Sequence, residues 1–417
     1  MTVDETDRGR EYDIVIVGGG MVGISLALLL NRQALQGSEQ RPRRILLVEA
    51  QEISLSKGTG YSASFDARST ALSWSSRKIY QLIGVWPELK TQVSEIAQIH
   101  VSDRSHMGLT RIDAQEAGVE ALGYVVENRW LGSVLHKQLA ATDIEVRDAV
   151  SIESIRPLAA GMRLSVGGQV IDTRLLVIAD GADSSTAKKL GIQTQRHDYN
   201  QTGIIANLCL QKSHAGVAYE RFTDQGPMAL LPLSNFAGRP RSALVWTQPN
   251  DVAQTLMSAD DQSFLEQLQQ RFGHRLGRFQ QVGERISYPL ALTTSAEQVR
   301  RNLVVMGNAA HSLHPVAGQG FNLSLRDAAA LADSLAQVAN DQLGDLETLE
   351  RYQQRQAADQ CNTVIFSDSL PKLFGISSSA AALGRNAGLV AMDLVPALRN
   401  GFARFGMGMA TSEAGNQ

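Results

Sequence analysis

Two glycine-rich runs set far apart in the chain constrain its fold more than any other feature. The first, Gly18-Gly19-Gly20-Met21-Val22-Gly23, follows a β-branched run at 12–17 and opens into an apolar stretch at 24–30. That is the order strand, tight turn, helix. The second, Gly307-Asn308-Ala309-Ala310-His311-Ser312-Leu313-His314-Pro315-Val316-Ala317-Gly318-Gln319-Gly320-Phe321-Asn322, follows the strand-like 303–306. It leads into a helical pattern of Leu323, Leu325, Ala328, Leu331, Ala332 and Leu335. One glycine loop of this sort is common in α/β chains; two so widely separated are not.

The first run has G-x-G-x-x-G spacing at Gly18, Gly20 and Gly23. Such glycines serve a tight turn, a close backbone approach to a pyrophosphate, and close packing of helix on strand. The helix N-terminus adds free amides and a partial positive charge. A second strand at 44–48 ends on Glu49, an acid placed to bind a ribose hydroxyl pair. The 36–43 loop accounts for its slightly long distance from the glycines. Together these features predict dinucleotide binding over an ordinary glycine turn, without choosing between FAD and NAD. A further strand pattern at 175–179 runs into Asp180-Gly181, which alone reads as a turn.

The 417 residues give room for a sizeable core and two domains. A formal net charge of −3 offers no reason to expect nucleic acid, which needs a concentrated basic face. Cys209 and Cys361, the two cysteines, are far apart and lack metal-binding spacing. His311 and His314 lie in a Pro/Gly turn with no carboxylate or cysteine arrayed around them, so no metal site is expected. The reducing cytoplasm is the simplest compartment. Residues 1–12 form a polar lead-in without a signal-peptide core, and no stretch reaches the ~20 apolar residues of a membrane-spanning helix. Membrane contact, at the inner face, is expected to be peripheral at most.

In this order the motifs resemble those of the single-domain aromatic-ring flavoprotein monooxygenases, the para-hydroxybenzoate hydroxylase group, across residues 12–345. That group's third motif reads G-D-x-x-H-x-x-x-P-x-x-G-Q-G-x-N. Gly307, His311, Pro315, Gly318, Gln319, Gly320 and Asn322 match it, and Asn308 replaces the acid. An amide still accepts a hydroxyl hydrogen bond, so the resemblance implies FAD, held in part by Gly307 and Asn308. The turn through Pro315, Gly318, Gln319, Gly320, Phe321 and Asn322 would face the flavin ring. Reduction puts negative charge on the ring's pyrimidine end, which a helix N-terminus stabilises. The Asp180-Gly181 motif of the group ends in Ser-x-x-Arg; Ser184 matches and Ala187 replaces the arginine. Arg68 and Asn128 fall where members of the group touch the cofactor.

The resemblance implies a Rossmann-like α/β FAD-binding domain in two parts, 1–190 and 283–345. A β-sheet substrate domain at 191–282 would be inserted between them, with a helical region at 346–417. Strand-like runs at 202–210 and 242–247, with an amphipathic helix at 263–271, fit that insertion. Arg221, Phe222 and Met228 are candidates to line a substrate cavity, with plain sheet core as the alternative for the apolar pair. The stretches Glu220-Arg221-Phe222-Thr223, Gly226-Pro227, Val101-Ser102-Asp103-Arg104 and Gly384-Arg385-Asn386-Ala387-Gly388-Leu389, with Asn308, most resemble the ubiquinone-biosynthesis hydroxylases. The nearest branch acts on 2-polyprenyl-6-methoxyphenol.

That branch implies para-hydroxylation of a polyprenylated phenol with NAD(P)H and O2, through a flavin hydroperoxide. With no second G-x-G-x-x-G unit, the nicotinamide is expected to bind transiently. Other ubiquinone-biosynthesis proteins are expected partners. The alternatives are a hydroxylase of another ring position or of a soluble aromatic acid, for which Arg221 is the candidate anchor, or a flavin-binding scaffold subunit. No residue identifies itself as the catalytic base.

Overall fold

A computed structural model of the chain describes residues 10–36, 42–53, 68–103, 109–314, 318–375 and 395–409. Among these residues the nucleotide half is built on parallel strands in the spatial order Leu303–Val305, Gln169–Ile178, Arg10–Val17, Ile45–Val48, Glu145–Arg147. The strands are apolar at successive positions because both faces are covered. Ile14, Ile16, Leu47, Val177 and Val304 pack toward helices Met21–Gln36 and Gln319–Leu335. Val15, Leu46, Leu176 and Val305 point to the opposite core, as the two-residue period of a strand requires.

Register decides where a ligand can sit. Val17 lies opposite both Ile178 and Val48, and Ile178 lies opposite Val305. The C-terminal ends of these four strands therefore share one edge, and they carry the Gly18 loop, Glu49, Asp180 and Gly307. That is the edge at which open parallel sheets bind their ligands.

The second half is a nine-stranded sheet. Its long strands Thr194–Leu210, Gly226–Phe236, Arg239–Pro249 and Ile286–Ser295 pair antiparallel with their neighbours, whereas Val217–Thr223 pairs parallel to Gln98–Asp103. The sheet thus crosses the boundaries predicted at 190 and 282. It takes Gln98–Asp103 and Leu109–Asp113 from one side and Ile286–Ser295 from the other, pairings of long sequence separation that no local pattern reveals. Helices Asn250–Ser258 and Asp261–Phe272 cover one face over Trp246, Leu244, Met228 and Leu230. The opposite face, with Ala218, Leu233 and Ala243, packs on Ile96 and Val125. These two belong to a small sheet of Ser69–Ser73, Gly123–Glu127 and Val93–Ile96. Helices Leu346–Gly375 and Pro396–Gly406 complete the C-terminal region. No helix among the described residues is long and apolar enough to cross a membrane.

Candidate flavin site

The G-x-G-x-x-G loop divides its labour as its chemistry demands. Gly18 has φ +111°, and a Cβ there would fall 2.4 Å from the Ala179 carbonyl oxygen. A Cβ on Gly23 would fall 1.9 Å from the Gly18 carbonyl oxygen. Both glycines permit backbone contacts that no other residue allows. A Cβ on Gly20 would meet nothing within 4 Å, so the loop is open on that side at the start of the helix. Glu49 closes the far side: Oε2 accepts from the Gly19 amide at 2.5 Å and Oε1 from the Gln51 amide at 2.9 Å.

The other motifs converge on the same edge. Asp180 accepts from the Thr186 amide through Oδ2 at 3.2 Å, while its buried Oδ1 has no partner among the described residues. Ser184 caps the short helix Ser185–Lys189 by accepting from the Ala187 amide at 2.9 Å. Gly307, at φ +65°, brings its Cα against Val22 of the first loop; a Cβ there would sit 3.4 Å from Val22 Cγ1. Asn308 is exposed between the buried Gly307 and Ala309. Open space beside Gly20 at the helix N-terminus, a carboxylate at Glu49, an orphaned Asp180 oxygen and an exposed Asn308 together suit a ligand with both phosphate and hydroxyl groups. The residues present fit FAD.

The strand Ser69–Ser73 gathers the remaining predicted residues. Arg68, exposed, accepts through its carbonyl from the Asn128 amide at 2.8 Å, and Thr70 Oγ1 donates to Asn128 Oδ1 at 2.6 Å. Gly318, in the left-handed region at φ +61°, is the N-cap of helix Gln319–Leu335, and a Cβ there would reach Ala71 Cβ at 3.3 Å. Asn322 is saturated by protein groups: Oδ1 accepts from the Ser73 amide at 2.8 Å and Ser76 Oγ at 2.7 Å. Its Nδ2 donates to the carbonyls of Ala71 at 2.9 Å and Gly318 at 2.8 Å. Asn322 thus clamps the helix N-terminus in place. Gln319 reaches the Gly406 carbonyl at 3.3 Å, Gly320 lies beside Leu313, and Phe321 packs on the nucleotide core. Pro315 lies outside the described residues, as do Arg104 and 384–389.

Two substrate candidates, Arg221 and Met228, lie on the sheet face that the helices cover. Arg221 pairs with Met228 across the sheet, and Met228 pairs with Trp246. This row lies under the helices, where Met228 is fully buried in the core. Strand alternation then turns Phe222, one residue on, toward the nucleotide half, together with Glu220 and Ala218. Glu220 carries a carboxyl that burial pushes up to about 8, a feature its sequence does not advertise.

The third motif's histidines are held differently. His311 Nε2 bonds Asp327 Oδ2 at 2.6 Å, both side chains being buried, and Gln360 Nε2 donates to Asp327 Oδ1 at 3.1 Å. His314 is buried beside Tyr199. Burial pushes His314 down to about 4, and burial with the adjacent Arg275 guanidinium does the same to His100. A histidine whose folded value is depressed supports the fold fully above its unfolded value near 6.5. That support is lost as pH falls toward 4, by on the order of 3 kcal/mol for each of the two. Urea midpoints are expected to fall between pH 7 and 4.5, and His100→Gln and His314→Gln to flatten that slope. An unaltered slope in both variants contradicts the assignment.

The comparisons with known proteins agree with this geometry. A protein-family model described as "FAD binding domain" matches residues 11–365. The chain belongs to this family. Relatives within reach of the FAD binding domain family include the ubiquinone hydroxylase UbiL of Rhodospirillum rubrum, 32% identical over 95% of this chain and 89% of that one. The mitochondrial ubiquinone biosynthesis monooxygenase COQ6 of Homo sapiens is 28% identical over 94% and 92%. Among solved structures, p-nitrophenol 4-monooxygenase PnpA from Pseudomonas putida matches with a TM-score of 0.75 at 16% identity, covering 96% of this chain and 99% of that chain. PqsL, a probable FAD-dependent monooxygenase from Pseudomonas aeruginosa, reaches 0.72 at 22%, covering 91% and 100%. At these identities the structures speak to the fold. This member of the FAD binding domain family is an FAD-dependent aromatic-ring monooxygenase.

Proposed function

We propose that the enzyme hydroxylates the ring of a polyprenylated phenol in ubiquinone biosynthesis, para to the hydroxyl of a 2-polyprenyl-6-methoxyphenol. The observation that carries this reading is the end-to-end similarity to two ubiquinone hydroxylases, which leaves no large segment of either relative unmatched. Bound FAD supplies the transfer of one oxygen atom from O2 to the ring, with NAD(P)H as the reductant.

The chain's own residues bind, orient and shield. The loop at Gly18, Gly20 and Gly23 and the helix behind it hold the pyrophosphate, and Glu49 a ribose. Asn308 and Asp180 offer acceptors to hydroxyls, with Arg68 and Asn128 at the rim. Helix Gln319–Leu335 is held by Asn322 with its positive end toward the same edge. Phe222, Ala218 and Ala243 bring apolar surface to the sheet face that also carries the Glu220 carboxyl, and that surface favours a prenylated ring. A lipid-soluble substrate also accords with peripheral membrane contact and with partners in the same pathway; Ile365 and Val395 are exposed in the C-terminal region.

The test is to incubate the FAD-loaded protein with O2, NADH or NADPH, and either 2-prenyl-6-methoxyphenol or its unmethoxylated parent, and to identify the products. One added oxygen para to the hydroxyl, with the methoxylated ring preferred, is the expected result. Bound FAD that is never reduced in the presence of either phenol would instead support the scaffold role.

A further inference from the structure

One buried side chain near the expected ring position has both polar atoms unspent. His314 is 1% exposed, and among the described residues neither Nδ1 nor Nε2 has a hydrogen-bond partner. A buried polar atom left this way has lost its water without gaining a partner in exchange. The position invites a ligand that donates and accepts.

The fold places the imidazole with purpose. It follows His311–Ser312, which pairs with Thr293 and Thr294 at the edge of the nine-stranded sheet. Its neighbour Leu313 lies 3.9 Å from where a Cβ on Gly320 would stand, in the first turn of helix Gln319–Leu335. Tyr199 meets the His314 ring edge-on, with centroids 5.2 Å apart, yet cannot serve as its partner. The Tyr199 hydroxyl donates to Asp368 Oδ1 at 2.9 Å, and Lys372 Nζ donates to Asp368 Oδ2 at 2.7 Å. Burial, and then Asp368, keep Tyr199 protonated. Asp368 stays below the usual carboxylate range although burial opposes it, because Lys372 and Tyr199 donate to it. His197 packs against the tyrosine at 5.3 Å. The cluster is committed within itself, and the neutral imidazole is left with one N–H to give and one lone pair to offer.

We propose that His314 is a catalytic residue, its unprotonated nitrogen accepting first the hydrogen bond and then the proton of the substrate's ring hydroxyl. The proposal rests on the phenol reading above. A phenol resembles tyrosine, with a pKa near ~10, so in the ground state the proton stays on oxygen. As the ring carbon bonds to the incoming oxygen, the hydroxyl becomes a protonated carbonyl, a far stronger acid. Its O–H bond then breaks, N–H forms on His314, and the electron pair is retained by the carbonyl oxygen. On rearomatisation the ring C–H bond breaks and its proton leaves to solvent. Its electron pair re-enters the ring, and the oxygen recovers the proton from His314. The imidazole exchanges only a proton; oxidant and reductant are those of the flavin reaction. Weak basicity suits the task, because a stronger base would already be protonated when the substrate arrived.

The test uses the full-length holoenzyme and its His314→Gln and His314→Ala variants, with glutamine as the better-folding replacement. FAD affinity is read by fluorescence. Binding of 2-prenyl-6-methoxyphenol and of its methyl ether is read from the absorbance of oxidised flavin, and product formation is measured alongside. FAD affinity is expected to stay within about twofold. The wild type should prefer the phenol to the ether by about tenfold, and the variants should lose that preference. Product kcat should fall about 100-fold while NAD(P)H oxidation continues as peroxide release, with added imidazole partly restoring His314→Ala. Unchanged phenol preference and kcat overturn the proposal. So does a tenfold loss of FAD affinity in both variants, which would make His314 a cofactor contact. A wild type that binds FAD yet hydroxylates no prenylphenol sinks the functional reading by itself; preference for simple phenols over anisoles, read from binding alone, still decides His314.

Discussion

Gly23→Ala is expected to lose FAD and about 3 kcal/mol of stability together, whereas Gly20→Ala loses FAD alone. The two glycines are three residues apart and differ in what a methyl group would meet. At Gly23 it would lie 1.9 Å from the Gly18 carbonyl oxygen and 3.5 Å from Ile16 Cγ2. The first neighbour is backbone, so the clash moves the helix off the strand, and with it the amides meant for the pyrophosphate. At Gly20 it meets no protein atom within 4 Å, and the apoprotein should melt like wild type. The space it takes is the space a phosphate needs, so FAD affinity should fall at least tenfold, about 1.4 kcal/mol. Urea unfolding of the apoproteins and flavin titration measure the two quantities separately. Wild-type FAD affinity in Gly20→Ala would mean that the loop does not hold the pyrophosphate.

The nucleotide half is legible in the sequence for a physical reason. A parallel strand covered on both faces is apolar at every position, so the runs at 12–17, 44–48, 175–179 and 303–306 stand out. They coincide with Arg10–Val17, Ile45–Val48, the end of Gln169–Ile178, and Leu303–Val305. The helix at 319–335 is equally plain, since Leu323, Leu325, Ala328, Leu331, Ala332 and Leu335 are its buried stripe. The sheet half is less so. Thr194–Leu210 begins with a run of polar, exposed residues paired with Ile286–Ser295, and the apolar signal appears only near Ile204.

Alternation shows that Phe222 and Arg221 face opposite ways, but not which face meets the flavin half. That depends on helices Asn250–Ser258 and Asp261–Phe272, whose docking side is a tertiary choice. Arg68 and Asn128 come together through the Ser69–Ser73 and Gly123–Glu127 pairing, a register that neither residue signals alone. His314 is the sharpest case. In sequence it is a polar residue beside a proline in a glycine-rich turn, and only its burial without a partner sets it apart.

Arg241→Ala is expected to cost 3–5 kcal/mol, roughly what is lost when one partner of a buried ion pair is removed. Arg241 and Glu127 are 3% and 6% exposed, with Nη2 2.6 Å from Oε1. Glu127 ends the strand that leads to Asn128, and Arg241 belongs to the nine-stranded sheet, where its Nε also donates to the Ser234 carbonyl at 3.2 Å. The pair therefore joins the small sheet beside the nucleotide half to the nine-stranded sheet. Removing the guanidinium takes a short, charged donor away from a carboxylate buried at the interface, where desolvation is expensive. Replacing both residues, as in Arg241→Met with Glu127→Met, removes the charge along with its partner and should recover most of the loss. The single variant should also spend more NAD(P)H per product formed, because a displaced sheet admits water to the reacting ring. Urea denaturation of the wild type, both single variants and the double variant measures the coupling, and the ratio of NAD(P)H consumed to product formed measures the alignment. A double variant no more stable than Arg241→Ala would show that the interface needs the hydrogen-bonded geometry itself and not merely charge balance.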